Sequence, residues 1–213
     1  MIIIFGAGII GLFTGYELLK TGKKVKIIDA RGVKGDATNA SVGMLAPLIE
    51  AKPQETEIFN LMCESKKTWE KIFTNKQTRL SIGFRNNNAL MVALNKDDEE
   101  KLKFKKKFFE KIGFETKLLN NVQTLKIEPS LNSNVTSSLL CKNQDQVNPI
   151  SLKNFLINQI KDMGGEILKT DQINSFLLKK NKVFFNNESY DFEKIIISCG
   201  AWSNEIIKNS FGI

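Results

Sequence analysis

The chain has 213 residues, 42% of them apolar and 25% charged, a globular composition that excludes disordered, collagen-like and fibrous proteins. The net charge of +8 comes from a basic set in which 28 of 31 residues are lysine, so it indicates a compositional bias rather than an arginine-bearing surface for nucleic acid. There is no histidine, which excludes Ser-His-Asp and Cys-His catalysis and any imidazole acid–base step.

The first thirty residues predict a strand, a glycine-rich turn, a helix and a second strand. Residues 1–5 (MIIIF) form a continuous apolar run, which is typical of a strand buried on both faces. The G-x-G-x-x-G sequence GAGIIG follows at residues 6–11, a helix then ends near Gly22, and a second strand (residues 25–28) leads into Asp29.

Each part of this pattern has a mechanical role in dinucleotide binding. Gly6 permits a tight turn, Gly8 lets the backbone approach a pyrophosphate, and Gly11 lets the helix pack closely on the strand. The pyrophosphate then lies at the helix N-terminus, and Asp29 can accept hydrogen bonds from a ribose hydroxyl. Because the strands, helix and acid occur in register, the sequence predicts dinucleotide binding rather than a merely glycine-rich turn. An acid here disfavours NADP, although Arg31 follows two residues later.

The next segment favours FAD over NAD. Residues 32–47 are rich in small and polar residues and predict a loop with little core. An NAD dehydrogenase would instead continue to a crossover helix and a third parallel strand. Residues 54–74 then predict an amphipathic helix.

The middle of the chain predicts a mixed α and β region. We expect a strand at residues 89–94, a helix that begins near the acidic residues 97–100, and short strand and turn pieces over residues 118–140. The lysine-rich run at residues 101–111 (KLKFKKKFFEK) is either a solvated helix face or a phosphate-binding patch.

The last third returns to a βαβ pattern. A helix at residues 150–163 ends at two glycines and precedes a strand at residues 166–169. Three short apolar segments near residues 176–192 predict a three-stranded meander, and residues 195–197 predict a parallel strand that brings Ser198, Cys199 and Gly200 to the cofactor end of the sheet. Cys199 is either a redox thiol or a small packing residue.

The cysteine spacing and the hydropathy of the chain indicate the cellular compartment. Three widely spaced cysteines (positions 63, 141 and 199) form neither a disulfide framework nor a CxxC site, which fits a reducing environment. The longest apolar stretch, residues 1–13, is shorter than the ~20 residues that a spanning helix needs. We therefore expect a cytoplasmic protein without membrane contact and without a metal site.

Four blocks together resemble the glycine oxidase and D-amino-acid oxidase family of flavoenzymes. They are GAGIIG, Asp29, TNASVGMLAP at residues 38–47, and IIISCGAWS at residues 195–203. The resemblance covers essentially the whole chain, and the ASVGMLAP block is most similar to the glycine oxidase branch, which serves thiamine biosynthesis. It implies an α/β fold in which a Rossmann-like FAD-binding domain with a β-meander carries an inserted, partial α+β substrate domain. The implied boundaries are 1–78 and 146–213 for the FAD-binding domain and 79–145 for the substrate domain.

The resemblance also implies an FAD site, with no residue assignable as catalytic. The implied cofactor-binding residues are Gly6, Gly8, Ile9, Ile10 and Gly11 at the pyrophosphate, Asp29 and Ala30 at the adenosine ribose, Ala37, Thr38, Val42, Gly43 and Met44 along the flavin side, Ile173 near the adenine, and Gly200 at the cofactor end. Ile173 fits a plain core residue equally well. The family usually carries glutamate at the position of Asp29 and alanine at the position of Gly15.

The implied reaction is removal of a hydride equivalent from the α-carbon of a small amine or amino acid. In the family the chain continues beyond the position of Ile213 and supplies the arginine that binds the substrate carboxylate. We therefore expect activity to require a complementing carboxy-terminal chain. The alternative is a non-catalytic FAD- or nucleotide-binding module or an inactive truncated product.

Overall fold

A computed structural model describes residues 1–30, 37–170, 177–179, 181–185 and 188–211 of the chain. In chain order the strands are β1 (Ile2–Phe5), β2 (Val25–Ala30), β3 (Met44–Leu45), β4 (Ala89–Ala93), β5 (Thr116–Asn120), β6 (Ser137–Cys141), β7 (Asp145–Gln146), β8 (Glu166–Thr170), β9 (Leu177–Lys179), β10 (Lys182–Phe185), β11 (Glu188–Asp191) and β12 (Lys194–Ile197). The helices are α1 (Ile9–Lys20), α2 (Ala37–Ala40), α3 (Pro47–Glu50), α4 (Thr56–Ile72), α5 (Lys76–Ser81), α6 (Lys96–Lys111), α7 (Asn121–Ile127), α8 (Pro149–Asp162) and α9 (Ser203–Phe211), with a 3₁₀ turn at Gly200–Trp202 before the last. Across these ranges, no helix has both the length and the apolarity that a membrane crossing requires.

The chain divides into two compact units at boundaries that differ from the sequence-based ones. Unit 1 contains Met1–Ser41 and Pro149–Ile213, and unit 2 contains Val42–Asn148. The sequence predicts the first boundary after residue 78, but residues 42–78 already belong to unit 2. The physical reason is that Leu48 and Phe59 pack into the same buried cluster as Phe109 of α6.

Unit 1 is built on a four-stranded parallel sheet in the order β12-β1-β2-β8. Residues 2–5 of β1 are buried on both faces of the sheet, as their continuous apolar run predicts. On one face, Ile4 and Ile27 lie under α1 at the position of Gly15. On the other face, Ile3 packs with Val183 of β10 and Ile206 of α9.

The strands β9, β10 and β11 form the antiparallel meander that the sequence predicts, in the order β11-β10-β9. A buried lysine lies between this meander and the parallel sheet. Lys26 of β2 places its Nζ 2.7 Å from Glu166 Oε2 and 4.0 Å from the centroid of the Tyr190 ring. Its charge is therefore compensated by an acid on the neighbouring strand and by an aromatic face.

Unit 2 contains a three-stranded antiparallel sheet in the order β4-β6-β5 and a separate pair of short strands, β3 and β7. Its core joins apolar residues of α4, α6 and β6, among them Phe59, Phe109 and Leu139. Asparagines begin several of its helices. Asn95 Oδ1 accepts the N–H of Asp98 at α6, and Asn120 forms a capping box with Gln123 at α7.

Most predicted elements occur where the sequence places them, with ends shifted by one to three residues. Two segments differ. The sequence predicts a loop with little core over residues 32–47. In the structure, residues 37–50 contain two short helices and β3, and Ala46, Pro47 and Leu48 are buried. Residues 121–127, predicted as strand and turn, form α7, whose capping box stabilises a helix over strand pairing.

Candidate dinucleotide-binding site

The turn after β1 has a backbone geometry that favours glycine. Gly6 has a φ of +99°, and a Cβ at this position would lie 2.5 Å from the carbonyl oxygen of Ser198. A side chain would therefore be strained in conformation and would collide with the segment that follows β12. The chain turns directly from β1 into α1 because this residue is glycine.

The other two glycines of the motif face different surroundings. A Cβ at Gly11 would lie 1.9 Å from the carbonyl oxygen of Gly6, so the first turn of α1 packs directly on the glycine turn. A Cβ at Gly8 would meet only Thr38 Oγ1, at an ordinary contact distance of 3.6 Å. Gly6 and Gly11 are thus required by packing within the chain, whereas the backbone at Gly8 is open to a ligand.

Side chains from outside the motif bind two of its N–H groups. The N–H of Ala7 donates to Asp29 Oδ1 at 2.8 Å, and the N–H of Ile9 donates to Thr38 Oγ1 at 2.9 Å. In the described part of the chain, no acceptor receives the N–H groups of Ile10 and Gly11. Within the described residues, the N–H groups of Ile10 and Gly11 are therefore free donors in the first turn of a 12-residue helix that has no acid in that turn.

Asp29 has a second role beyond the one that the sequence predicts. Its Oδ1 fixes the turn through Ala7, while Oδ2 makes no hydrogen bond to any described residue. Asp29 can therefore support the turn with one oxygen while the other is available to accept a hydrogen bond from a hydroxyl group.

The sequence analysis brings Ser198 to the cofactor end of the sheet but assigns no role to its side chain. Its Oγ donates to the carbonyl oxygens of Phe5 at 2.8 Å and of Gly6 at 3.2 Å, so it ties the end of β12 to the glycine turn. The only sequence signal was a small polar residue directly after a predicted parallel strand. Burial raises the pKa of the neighbouring Cys199 thiol to about 11, with a smaller contribution from the charge of Asp29, which disfavours a reactive thiolate.

The segment that the resemblance places along the flavin lies in unit 2. Val42 and Met44 are exposed, and Gly43 has a φ of +69°. The carbonyl oxygen of Gly43 accepts the N–H of Val147 at 2.9 Å, and Gln146 Nε2 donates to the carbonyl oxygen of Val42 at 3.1 Å. Strand β7 and the residue after it thus hold this segment in a defined conformation.

The structure brings together some of the predicted residues and leaves others apart or undescribed. Within unit 1 the residues gathered at the start of α1 are Gly6, Gly8, Ile9, Ile10, Gly11, Asp29 and Thr38. Ala30 ends β2, Ala37 begins α2, and Gly200 follows β12 with a φ of +57° and an open Cβ position. Ile173 lies outside the described residues, and so does Arg31.

The arrangement fits the pyrophosphate and ribose of a dinucleotide. An open backbone at Gly8, two free N–H groups at a helix N-terminus and a carboxylate at the end of the second strand match the chemistry of those groups. The model for the family described as FAD dependent oxidoreductase matches residues 1–212. The chain belongs to this family. Its members depend on FAD, so FAD is the dinucleotide with which the site is to be compared.

Individual relatives match nearly all of this chain but only about half of their own length. An uncharacterized oxidoreductase of Bacillus subtilis, YurR, is 27% identical over 97% of this chain and 56% of its own. A glycine oxidase of Bacillus licheniformis is 23% identical over 97% and 55%. A glycerol 3-phosphate oxidase of Mycoplasma pneumoniae is 24% identical over 95% and 54%. The chain thus spans about half the length of the curated relatives that it matches.

A solved structure confirms the fold. Glycine oxidase from Geobacillus kaustophilus superposes with a TM-score of 0.84 at 20% identity, over 98% of this chain and 57% of that one. The Rossmann-like α/β fold predicted from the sequence is therefore confirmed.

Proposed function

We propose that this chain is the FAD-binding part of an oxidoreductase that oxidises the CH–NH bond of glycine or another small amino acid. The geometry at the start of α1 is the observation that carries the proposal, because an open Gly8 and the free N–H groups of Ile10 and Gly11 suit a pyrophosphate. Glycine oxidase is among the relatives, which supports an amine as substrate. A role in thiamine biosynthesis is part of the same proposal and rests on the sequence resemblance alone.

Each group of predicted residues has a defined task in this proposal. The α1 N-terminus holds the pyrophosphate, Asp29 Oδ2 accepts a ribose hydroxyl, and the backbone of residues 42–44 lies along the flavin. Ala30, Ala37, Thr38 and Gly200 line the same cofactor, and Ile173 contacts the adenine. Bound FAD supplies the acceptor for a hydride equivalent from the substrate α-carbon.

The residues of this chain orient and bind rather than transfer protons. The reaction breaks an α-carbon C–H bond and an N–H bond and forms a C=N bond, with two electrons and one proton accepted as the hydride equivalent. The second proton leaves with solvent. No histidine is needed for this chemistry, which agrees with the absence of histidine from the sequence.

In this proposal the arginine that binds the substrate carboxylate belongs to the part of the relatives' length that these 213 residues do not match. An arginine and the substrate carboxylate form a bidentate ion pair, which positions the α-carbon of the substrate. The competing proposal is a non-catalytic FAD- or nucleotide-binding module or an inactive product.

Titration with FAD and NAD tests the cofactor, with Gly8→Val as the decisive variant. We expect the chain to bind FAD in preference to NAD, and Gly8→Val to weaken FAD binding by at least about tenfold, or about 1.4 kcal/mol. The reason is that a branched side chain would occupy the open space that the pyrophosphate needs. Gly8→Ala is the matched control and should weaken binding less, with the thermal stability of both variants near that of the parent. Normal FAD affinity in Gly8→Val would show that the motif is only a turn.

Hydrogen peroxide release tests the reaction. The chain should release little peroxide alone and more when the carboxy-terminal half of a glycine oxidase is supplied in trans. We expect glycine and sarcosine to be oxidised at their CH–NH bond. Glycerol 3-phosphate is the comparison substrate, because it offers a CH–OH bond instead. FAD binding without peroxide release in either condition would favour the non-catalytic alternative. Oxidation of glycerol 3-phosphate alone would overturn the assignment of an amine substrate.

A further inference from the structure

The lysine-rich run of α6 forms one wall of an open cavity in unit 2 that the FAD site does not use. The cavity measures about 430 Å³ and is lined by Ala51, Lys52, Pro53, Glu100, Lys101, Phe104, Lys105 and Phe108. The α6 residues among them follow a spacing of three and four, so they share one face of the helix. The opposite wall is the connection between α3 and α4.

The floor of this cavity is apolar and uncovered. Phe104 is 64% exposed, whereas Leu102 and Phe109 of the same helix are buried in the core. Phe108 packs partly against that core and presents its remaining surface to the cavity. The volume lies within the ~300–1,000 Å³ range of small-molecule sites, which are mostly apolar with a few placed polar groups.

The polar groups around this floor favour an anion. Glu100 is the acid of the lining, and its Oε1 is paired with Lys103 at 2.7 Å. Lys52 and Lys101 are each 3.1 Å from an acid outside the cavity, Glu55 and Asp98 respectively. Lys105 forms no ion pair with any residue that the structure describes, so its charge is the one left without compensation.

We propose that this cavity binds a small organic acid with an apolar tail, with the tail on Phe104 and Phe108 and the carboxylate at Lys105. A carboxylate at a lysine makes a charge-assisted hydrogen bond, and the lysine stem covers part of the apolar floor. The proposal explains why an aromatic side chain stays exposed beside an uncompensated charge. It does not depend on FAD binding.

Octanoate is the test ligand, compared with octan-1-ol and octylammonium by titration calorimetry on the full chain. We expect octanoate to bind more tightly than the alcohol and the alcohol more tightly than the amine, because the three share a tail and differ in head-group charge. The advantage of octanoate should shrink at high salt, since exposed charges are screened. Equal binding of octanoate and octylammonium, or no detectable octanoate binding, overturns the proposal.

Two variants locate the site. Lys105→Gln should weaken octanoate binding about fivefold or more without changing octanol binding, while Phe104→Ser should weaken both by a similar factor. Lys107→Gln is the matched control, because it removes the same charge from the same helix outside the cavity, and it should change affinity less than about twofold. Unchanged octanoate binding in Lys105→Gln and Phe104→Ser would place the ligand elsewhere. Sedimentation that shows a dimer dissolved by Phe104→Ser would assign the surface to a second copy of the chain instead.

Discussion

The two units of the chain are stabilised at their key positions by opposite means. In unit 1 the candidate site depends on two residues that have no side chain, since a Cβ at Gly6 or Gly11 would collide with backbone. In unit 2 the short strands that hold residues 42–44 depend on buried polar side chains. Asp145 is 1% exposed and lies 3.2 Å from Lys66 Nζ, and its Oδ1 accepts Asn86 Nδ2 at 3.0 Å. The turn of unit 1 therefore tolerates no added atom at Gly6 or Gly11, and the buried ion pair of unit 2 tolerates no lost charge.

The largest effect should come from adding one methyl group to the turn of unit 1. In Gly11→Ala the new Cβ would lie 1.9 Å from the carbonyl oxygen of Gly6, a contact that only movement of the backbone can relieve. We expect a loss of about 3 kcal/mol or more, at the upper end of overpacking effects. Amide hydrogen exchange should show the loss in β1 and α1. Exchange as slow in Gly11→Ala as in the parent would show that the turn of unit 1 accommodates an added methyl group.

The second effect should come from removing one charge in unit 2. Asp145→Asn keeps the shape of the side chain but leaves Lys66, whose side chain is 16% exposed, with the neutral carbonyl oxygen of Asn143 as its partner and no opposite charge beside it. Asp145 Oδ2 accepts no hydrogen bond from the residues that the structure describes, and it lies 3.2 Å from Lys66 Nζ, so the stabilisation at this oxygen comes from the ion pair. We expect a loss of about 3 kcal/mol in the free energy of unfolding, seen as faster exchange in β7.

A double variant and an exposed pair control this experiment. Asp145→Asn combined with Lys66→Met should cost less than the sum of the single changes, since neither charge is then buried alone. Glu55→Gln removes an exposed partner of Lys52 and should change stability by about 0.5 kcal/mol or less. A similar loss in Asp145→Asn and Glu55→Gln would show that burial does not set the size of the effect.

The same contrast explains what the sequence could and could not predict. The parallel strands, the G-x-G-x-x-G turn and the acid at Asp29 are local patterns, so they identify the fold of unit 1. The contact from Ser198 to Gly6 joins residues 192 positions apart, and no local pattern specifies it. The two residues of the α7 capping box, Asn120 and Gln123, are apparent in the sequence, but the segment was predicted as strand and turn.

The boundary between the units illustrates a different limit. The apolar stripe of α4 predicts a helix with one buried face, but the stripe does not identify the core in which that face is buried. Phe59 packs with Phe109 of unit 2, and this could only be known from the tertiary structure. The burial of Asp145 was likewise not predicted from the sequence, because burial of an acid depends on its distant partner Lys66.

A third, smaller effect should appear at alkaline pH in both units. Burial raises the pKa of Cys141 in unit 2 from its ordinary value of 9.0 to about 11, and the Cys199 thiol in unit 1 is shifted to the same value. Above pH 9 the unfolded chain loses these protons and the folded chain retains them, so stability falls between about pH 9 and 11. The buried Cys141 should account for about 2 kcal/mol of that fall.

Urea unfolding at pH 8 and pH 11 measures this effect. Cys141→Ala should flatten the fall relative to the parent chain. A hydrogen bond to Glu188 and burial raise the pKa of Tyr190 to about 12, so part of the fall should remain and extend to higher pH. An identical fall in Cys141→Ala and the parent would show that this thiol does not titrate on unfolding.

The smallest effect tests whether the packing rule of unit 1 extends along α1 to Gly15. Glycine inside a helix costs about 1 kcal/mol relative to alanine, so Gly15→Ala would be stabilising if space allowed. A Cβ there would lie 2.9 Å from Ile27 Cδ1, which is the flexible end of a side chain rather than backbone. The two contributions should nearly cancel in Gly15→Ala alone. Ile27→Val removes the obstructing methyl group, so adding Gly15→Ala to Ile27→Val should recover about 1 kcal/mol in urea unfolding. If the alanine stabilises the parent and Ile27→Val equally, Ile27 imposes no packing limit at this position, and the intolerance of unit 1 to added atoms is confined to the glycine turn.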